Sequence, residues 1–467
     1  MPKQIAPDYG VQFLFPHALE DWVAKDHPAR FLREFVGQLD LAALGFVVPD
    51  EGMEGRPAYA PSLLLTIWLF GYLHRIRSTR KLEMACREQL SLLWLTGLIQ
   101  PDHNSLWRFW SVNKKALRAV FKRSAELAVE VGLVGFVLQA LDGTKIQAAS
   151  SRHSGWNQKS LEALLQALDR ELDQTEAQLN EEAAPAPEAT YRLPESLADK
   201  QALREKVRAG LEQMRKIDRE YLHPHETEAR RMTCAGQNHF AYNAQAVVDD
   251  QAGVIVAAEV TNAENDAGLA VPMVQQAEEN CGRQAEVTVA DSGYGSGKDI
   301  AQAAQSAVNL LVRPKGDSVA ETKPYHAFNF NFQPERDVVI CPQGQELQYA
   351  RDMKQKGQTV RIFRCDHHDC PVRQKCTKDQ RSRRFVEIWP HTSAVQEMRA
   401  KAKKPEAVVQ LRKRPQVIER VFGHIKQHDN WRRWTARGLE AVNAQWAMVC
   451  CAFNLRLLYR NWTACRA

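Results

Sequence analysis

Two short apolar runs, far apart in the chain, each stop at an aspartate. Val134 to Leu141 runs into Asp142-Gly143, and Glu286 to Ala290 runs into Asp291. Runs of this length, rich in Val and bounded by turn residues, read as buried strands. Between them, Phe240 to Val248 forms another strand, turns through Asp249-Asp250-Gln251-Ala252-Gly253 and returns along Val254 to Val260. A helix is expected from Asp266 to Glu279, and a fifth strand from Val308 to Val312.

With a long helix near Pro405 to His428, the order is strand, hairpin, helix, strand, helix, strand. That is the order of a ribonuclease-H-like fold: an α+β or α/β architecture with a mixed five-stranded sheet. Two insertions interrupt it. Residues 152–235 read as a coiled-coil hairpin, with stripes at Leu161, Leu165, Leu168, Leu172 and Leu179, and at Leu203, Val207, Leu211, Met214 and Ile217. The Ala- and Pro-rich stretch from Ala183 to Pro194 joins its arms. Residues 318–400 carry a cysteine cluster. Before the first strand, residues 1–132 read as a helical domain, with a buried helix over Ser62 to Leu73 and a later one capped by Asn104 or Ser105. Residues 133–467 are then the catalytic domain. The apolar stretch Leu63 to Leu73 is too short to span a bilayer, and MPKQIAPDYG has no apolar core for a signal peptide. A cytoplasmic protein is expected.

In a ribonuclease-H-like sheet the first and fourth strands are neighbours, so Asp142 and Asp291 emerge side by side. Two carboxylates that close repel unless a cation or proton intervenes. Mg²⁺ or Mn²⁺, hard ions that take oxygen ligands, are the natural occupants. A third carboxylate is expected from the late helix. There Ile418, Phe422 and Ile425 share one face, and Glu419, Gly423 and Lys426 fall together on an adjoining one. Pro415 is expected to start that helix, leaving Glu419 in its second turn. Glu406 is the rival acid, but it lies where a helix is only starting. Such a triad holds two metals roughly 3.5–4 Å apart, which activate a water or a 3′-hydroxyl and stabilise the leaving oxygen. From Met398 to Arg437, twelve Lys and Arg face three acids, a net of +9 in a chain whose total is +6. Trp431 and Trp434 interleave with these charges, which points to a polyanion partner. Lys426, Arg412, Arg414 and Arg420 are the candidates for holding phosphates by charge.

LDGTKIQA around Asp142, AYNAQAVVD from Ala241, VADSGYGSG around Asp291 and RKRPQVIERVFGHIK ending at Lys426 together resemble DDE-type transposases of bacterial insertion sequences. More narrowly, the chain is similar to the branch with a long insertion after the first aspartate. YAPSLLLTIWLFGYLHRIRSTRKLEMACRE followed by PDHNSLWRFW resembles the group's helical DNA-binding domain, and RGLEAVNAQWAMVCCAFNLRLL its closing helix. The resemblance implies a triad at Asp142, Asp291 and Glu419, with Lys426 following. It also implies binding to terminal inverted repeats and target DNA, as a homodimer on DNA, and transfer of a 3′-hydroxyl into the target. Leu411 departs from the pattern, standing where a tyrosine is usual. A nuclease without strand transfer and a transposase that has lost catalysis are the alternatives.

Three further signals stand apart. Cys341, Cys365, Cys370 and Cys376 suit a structural zinc site, with His367 or His368 able to replace a ligand; the alternative is packed free thiols in a loop-rich insertion. Gly293-Tyr294-Gly295-Ser296-Gly297-Lys298 imitates a phosphate loop but lacks the first glycine and the Ser/Thr after lysine. Its glycines are expected to turn the backbone tightly beside Asp291. Asn243 and Gln245 share one strand face, where they orient ligands or DNA, or pair across the hairpin.

Overall fold

The computed structural model describes residues 18–48, 58–151, 155–182, 195–234, 236–367, 369–377 and 383–466, with side chains except at 175–182 and 195–198. The expected Ala183–Pro194 linker, the side chain of Leu179, His368 and the MPKQIAPDYG segment lie outside what is described. The chain divides into two compact units.

The first unit is helical. It holds α1 (Pro28–Gly37), α2 (Pro61–Leu73), α3 (Thr79–Glu88), α4 (Leu90–Thr96), α5 (His103–Val112) and α6 (Lys114–Glu130). Helix α2 has no polar face: every residue from Leu64 to Tyr72 is buried, so it forms the centre against which α1, α3, α4 and α5 pack. Its Gly71 is needed there, because a Cβ would meet Leu82 Cδ2 at 2.7 Å and the Ile76 carbonyl oxygen at 2.9 Å. Helix α5 begins two or three residues earlier than the sequence suggests. Asp102, rather than Asn104 or Ser105, is the cap and accepts from the backbone N–H groups of Asn104 and Ser105.

Residues from Ala447 onward belong to this helical unit and not to the sheet-bearing one, where the sequence places them. Aromatic packing explains the correction: Tyr459 and Trp462 each lie with ring centroids 6.0 Å from that of Phe31. The Trp462 indole N–H also donates to Glu34.

The second unit, from Gly135 to Trp446, is built on a mixed sheet. Its strands are β1 (Leu138–Gln147), β4 (Arg230–Cys234), β5 (Gln237–Asp249), β6 (Ile255–Thr261), β7 (Val287–Val289) and β8 (Leu310–Leu311); β2 (Trp156–Asn157) and β3 (Tyr221–Leu222) form a separate small ladder. Strand β5 runs antiparallel to β1 on one side, and to β6 and β4 on the other. β7 runs parallel to β1, and β8 parallel to β7. The five expected strands are present, and β4 is a sixth. Helix α9 (Ala270–Cys281) packs on β6, and α10 (Gly297–Gln305) joins β7 to β8.

The hairpin insertion is α7 (Gln158–Glu182) and α8 (Glu195–Lys216), which meet along Leu161, Val207, Leu211 and Met214. Leu203, assigned to that stripe, is exposed instead. The cysteine-bearing insertion is not loop-rich. After α11 (Asp317–Thr322), β9 (Asn331–Gln333), β10 (Val338–Ile340), β11 (Glu346–Gln355), β12 (Gln358–Arg364) and β13 (Phe385–Ile388) make an antiparallel sheet with its own core of Phe330, Val339, Leu347, Phe363, Val386 and Ile388. One helical turn, α12 (Arg373–Cys376), lies between its last two strands, and α13 (Thr392–Ala402) follows.

Helix α14 runs from Pro405 to Gly423 and continues as a π-helical turn, His424–His428. Pro415 therefore lies inside the helix and does not start it. Proline cannot donate to the carbonyl four residues earlier, so packing has to hold the helix together at that point. It does so through Val417, Ile418, Val421 and Phe422, all buried. The last helix, α15 (Leu439–Ala464), starts in the second unit and ends in the first. No helix among the described residues is long and apolar enough to cross a membrane.

Gly71→Ala tests the packing of α2. Alanine favours a helix, but the added methyl has to displace backbone at Ile76, so the variant is expected to lose about 1–3 kcal/mol in denaturant unfolding. A gain in stability would show that α2 and α3 are packed less closely than described.

Candidate active site

Sheet pairing places the two aspartates. In the parallel ladder, Ala140 of β1 lies opposite Val289 of β7. Continuing that register by two residues brings Asp142 level with Asp291. Asp142 is not at a strand end, however. Strand β1 runs on to Gln147 because its antiparallel partner β5 continues beside it, with Asp142 opposite Ala246. Only β7 stops, and Asp291 then caps a short 3-10 turn, Ser292–Tyr294, by accepting from the Gly293 N–H at 2.8 Å.

Asp142 Oδ1 accepts from the Gly143 N–H at 2.8 Å, and Oδ2 accepts from Arg414 Nη1 at 2.6 Å. Both side chains of that ion pair are mostly buried, at 16% exposure for Arg414 and 20% for Asp142. Burial pushes the Asp142 carboxyl up, and Asp291 pushes it the same way, while Arg414 and the Gly143 amide oppose them. Arg414, which the sequence suggests as a phosphate ligand, is thus engaged with the Asp142 carboxylate. Lys426 lies in the π turn, partly buried; burial lowers its ammonium, against the opposing pull of Cys234 and Asp142.

Among the described residues, Glu419 makes no polar contact with this pair. It is exposed on α14, five residues beyond Arg414, and among the described residues no hydrogen bond or ion pair holds it. Its neighbours behave as the helical spacing predicts, with Ile418, Phe422 and Ile425 buried. Arg412 and Arg420 are exposed, and Arg420 Nη2 lies over the Gly253 turn of the β5–β6 hairpin. Trp431 and Trp434 are not on the charged surface. They are 3% and 2% exposed, and Trp434 packs edge-on against Trp446. In the helical unit Trp107 and Arg108 are exposed, whereas Trp110 is buried.

The carboxylate that the sequence reading missed is Asp266. The sequence predicts a helix start there, but α9 begins at Ala270 and Asp266 lies in the preceding loop. Its Oδ1 accepts from Asn243 Nδ2 at 2.8 Å and from Gln245 Nε2 at 2.9 Å. The Tyr294 hydroxyl in turn donates to Gln245 Oε1. Burial raises the Tyr294 phenol well above its ordinary range, and Asp266, Asp142 and Asp291 add to that. The signal available in sequence was the shared face of Asn243 and Gln245, two fully buried amides in need of a polar partner.

The glycine-rich stretch after Asp291 is a packing device. A Cβ on Gly295 would meet the Arg313 carbonyl oxygen at 2.3 Å, and one on Gly297 would meet the His391 ring at 2.0 Å. Helix α10 starts there, with Ser296 as its cap.

Cys341, Cys365 and Cys376 pack against the core of the small insertion sheet, and Cys365, His367, Cys370 and Cys376 line one cavity. Burial raises the Cys376 thiol. Among the described residues, His424, His428 and Asp429 form the one set of three His, Cys or carboxylate groups with ligand atoms all within 4.8 Å of one another. No three of the site's acids, and no three of these thiols, stand that close.

Two family models match the chain. Residues 17–111 match a transposase domain (DUF772), and residues 340–459 match a transposase DDE domain. No curated protein and no solved structure matches it. Both matches are to models of transposase domains, the second a DDE domain in the C-terminal part of the chain. A DDE domain implies a ribonuclease-H-like fold, a phosphoryl-transfer activity and DNA as the partner, and enzymes of this kind generally use divalent metal ions. The DDE match includes Glu419 and Lys426; Asp142 and Asp291 lie before it.

The Arg414–Asp142 pair makes a pH-dependent prediction. A raised carboxyl contributes stability at pH below the usual carboxylate range, and that stability is lost as pH rises through its folded value. Removing Arg414 leaves only the Gly143 amide opposing burial and Asp291, so Arg414→Gln is expected to move the Asp142 titration further up, as followed by carboxyl-carbon NMR. Its destabilisation should be larger at pH 7 than at pH 4. Equal loss at both would separate the guanidinium from the ionised carboxylate.

Proposed function

We propose that this protein is a transposase that cleaves DNA at the ends of its element and transfers the freed 3′-hydroxyl into target DNA. The observation that carries this reading is the parallel β1–β7 register, which sets Asp142 level with Asp291 in a chain matched by transposase models at both ends. Glu419 is assigned as the third acid. It lies on α14, the helix that packs on β1 and supplies Arg414 to Asp142.

The donor set suits Mg²⁺ or Mn²⁺. It consists of carboxylate oxygens, and a guanidinium already sits against Asp142 where cationic charge is needed. Two bound ions would supply an activated water or 3′-hydroxyl and stabilise the leaving oxygen. The chain's own groups bind and orient. Asp142 and Asp291 hold charge at adjacent strand positions, while Lys426 and the exposed Arg412 and Arg420 attract the phosphate backbone without reading bases. Arg414, paired with Asp142, keeps that carboxylate compensated in the absence of a metal. The helical unit, with Trp107 and Arg108 exposed, is assigned to the terminal repeats, and two chains are expected to bring two ends together.

Asp142→Asn, Asp291→Asn and Glu419→Gln are each expected to lower Mg²⁺- or Mn²⁺-dependent cleavage of the element's ends by at least about 10³-fold. Lys426→Ala should cost less, mainly through weaker DNA binding. Strand transfer from pre-cleaved ends distinguishes a transposase from a nuclease. Normal cleavage by Glu419→Gln would remove Glu419 from the site.

A structural zinc ion on Cys341, Cys365, Cys370 and Cys376 is a second proposal, with packed free thiols as its alternative; no three of these sulfurs stand within 4.8 Å of one another, so binding requires them to draw together. Purified protein is expected to carry one zinc per chain. Cys365→Ser or Cys376→Ser should lose it and lower the melting temperature, and metal-free protein of unchanged stability would mean packed free thiols.

A further inference from the structure

We infer that Asp266 is a positioning residue that fixes the backbone carrying both Asp142 and Asp291. This rests on the metal-dependent reading of that pair.

Asp266 touches both catalytic segments, and each makes room for it with a glycine. A Cβ on Gly143, the residue after Asp142, would lie 2.7 Å from Asp266 Oδ1 and 2.3 Å from Gln245 Nε2. A Cβ on Gly293, two residues after Asp291, would lie 3.3 Å from Asp266 Oδ2. Neither glycine has a positive φ, so the absence of a side chain serves close approach and not backbone conformation. The carboxylate is thus inserted where β1 and the turn after β7 both come near it.

It is also held firmly. Asn243 and Gln245 are fully buried on β5, and both amides donate to the same oxygen, Oδ1. Gln245 is itself fixed by the buried Tyr294 hydroxyl, and Tyr294 belongs to the turn that Asp291 caps. The chain of contacts runs from β5 through Asp266 to Gly143 and Gly293, and returns through Tyr294 and Gln245. Asp142 lies on β1 and Asp291 just past the end of β7, two strands whose direct ladder ends at Ala140–Val289. Beyond that point the Asp266 network replaces backbone pairing in setting how far apart the two aspartates stand. Partners that orient metal ligands typically change metal affinity by about 10–100-fold when removed.

Mn²⁺ affinity of the full chain without DNA, measured by electron paramagnetic resonance, tests this without any activity assay; thermal melts are recorded alongside. Asp266→Ala is expected to weaken Mn²⁺ binding about tenfold or more. Asp266→Asn keeps an oxygen for both amides and is expected to stay within about threefold of wild type, since orientation and not charge is the role. Asp142→Asn serves as the reference for the site. Should Asp266→Asn weaken binding as much as Asp266→Ala, the residue acts by its charge and the inference is overturned. The same holds if Asp266→Ala lowers the melting temperature but leaves Mn²⁺ affinity unchanged. If Asp266→Ala does not fold, Tyr294→Phe removes only the hydroxyl and should still weaken binding; unchanged affinity there also overturns it. If Asp142→Asn binds Mn²⁺ like wild type, the metal-site reading itself fails, a result distinct from failure at Asp266 alone.

Discussion

The burial of a carboxylate, Asp142, beside the Arg414 guanidinium governs the centre of the sheet. Parallel pairing of β1 with β7 forces Asp142 and Asp291 to the same level. Folding buries Asp142 and so makes its charge costly in addition to placing Asp291 near it. The fold tolerates this because α14 delivers Arg414 to Asp142. A site of this kind is kept in spite of its energetics, and the surrounding structure has to stabilise it.

Helix α14 is accordingly under two demands. It has to stay helical through Pro415, against the missing hydrogen bond, and it has to present charged residues on both sides of that proline. The buried run Val417, Ile418, Val421 and Phe422 anchors its C-terminal half. The switch to a π-helical turn at His424 keeps Ile425 in the core and leaves Lys426 partly buried in the same turn. Such turns recur at functional sites because one extra residue per turn re-aims the side chains around it.

Much of the central sheet was readable in the residues. Short apolar runs ending at Asp142 and Asp291, and the hairpin between Phe240 and Val260, carry their own local signals of strand and turn. The extent of β1 was not readable, because the strand passes through Asp142 only while β5 pairs beside it, and pairing is a property of two segments. Trp431 and Trp434 misled for a similar reason: their charged neighbours suggested a surface, and only the position of Trp446 shows that they face inward. Pro415 was read by its usual preference for a helix start, which packing overrode. Asp266 reads as the first residue of a helix, since nothing in its own neighbourhood marks the two amides, twenty-one and twenty-three residues earlier, that bond to it. The cysteine-bearing insertion hid its sheet because strands such as Glu346–Gln355 are largely polar and exposed.

The membership of the last helix bears on how such a protein can be dissected. Because α15 begins in the catalytic unit and its later turns belong to the helical one, the helical unit is encoded by two separate stretches of the gene. A fragment cut after Val134 would leave Phe31 without Tyr459 and Trp462 and expose an apolar surface. During synthesis the residues before Val134 wait for those after Trp446 before the packing of their unit is complete.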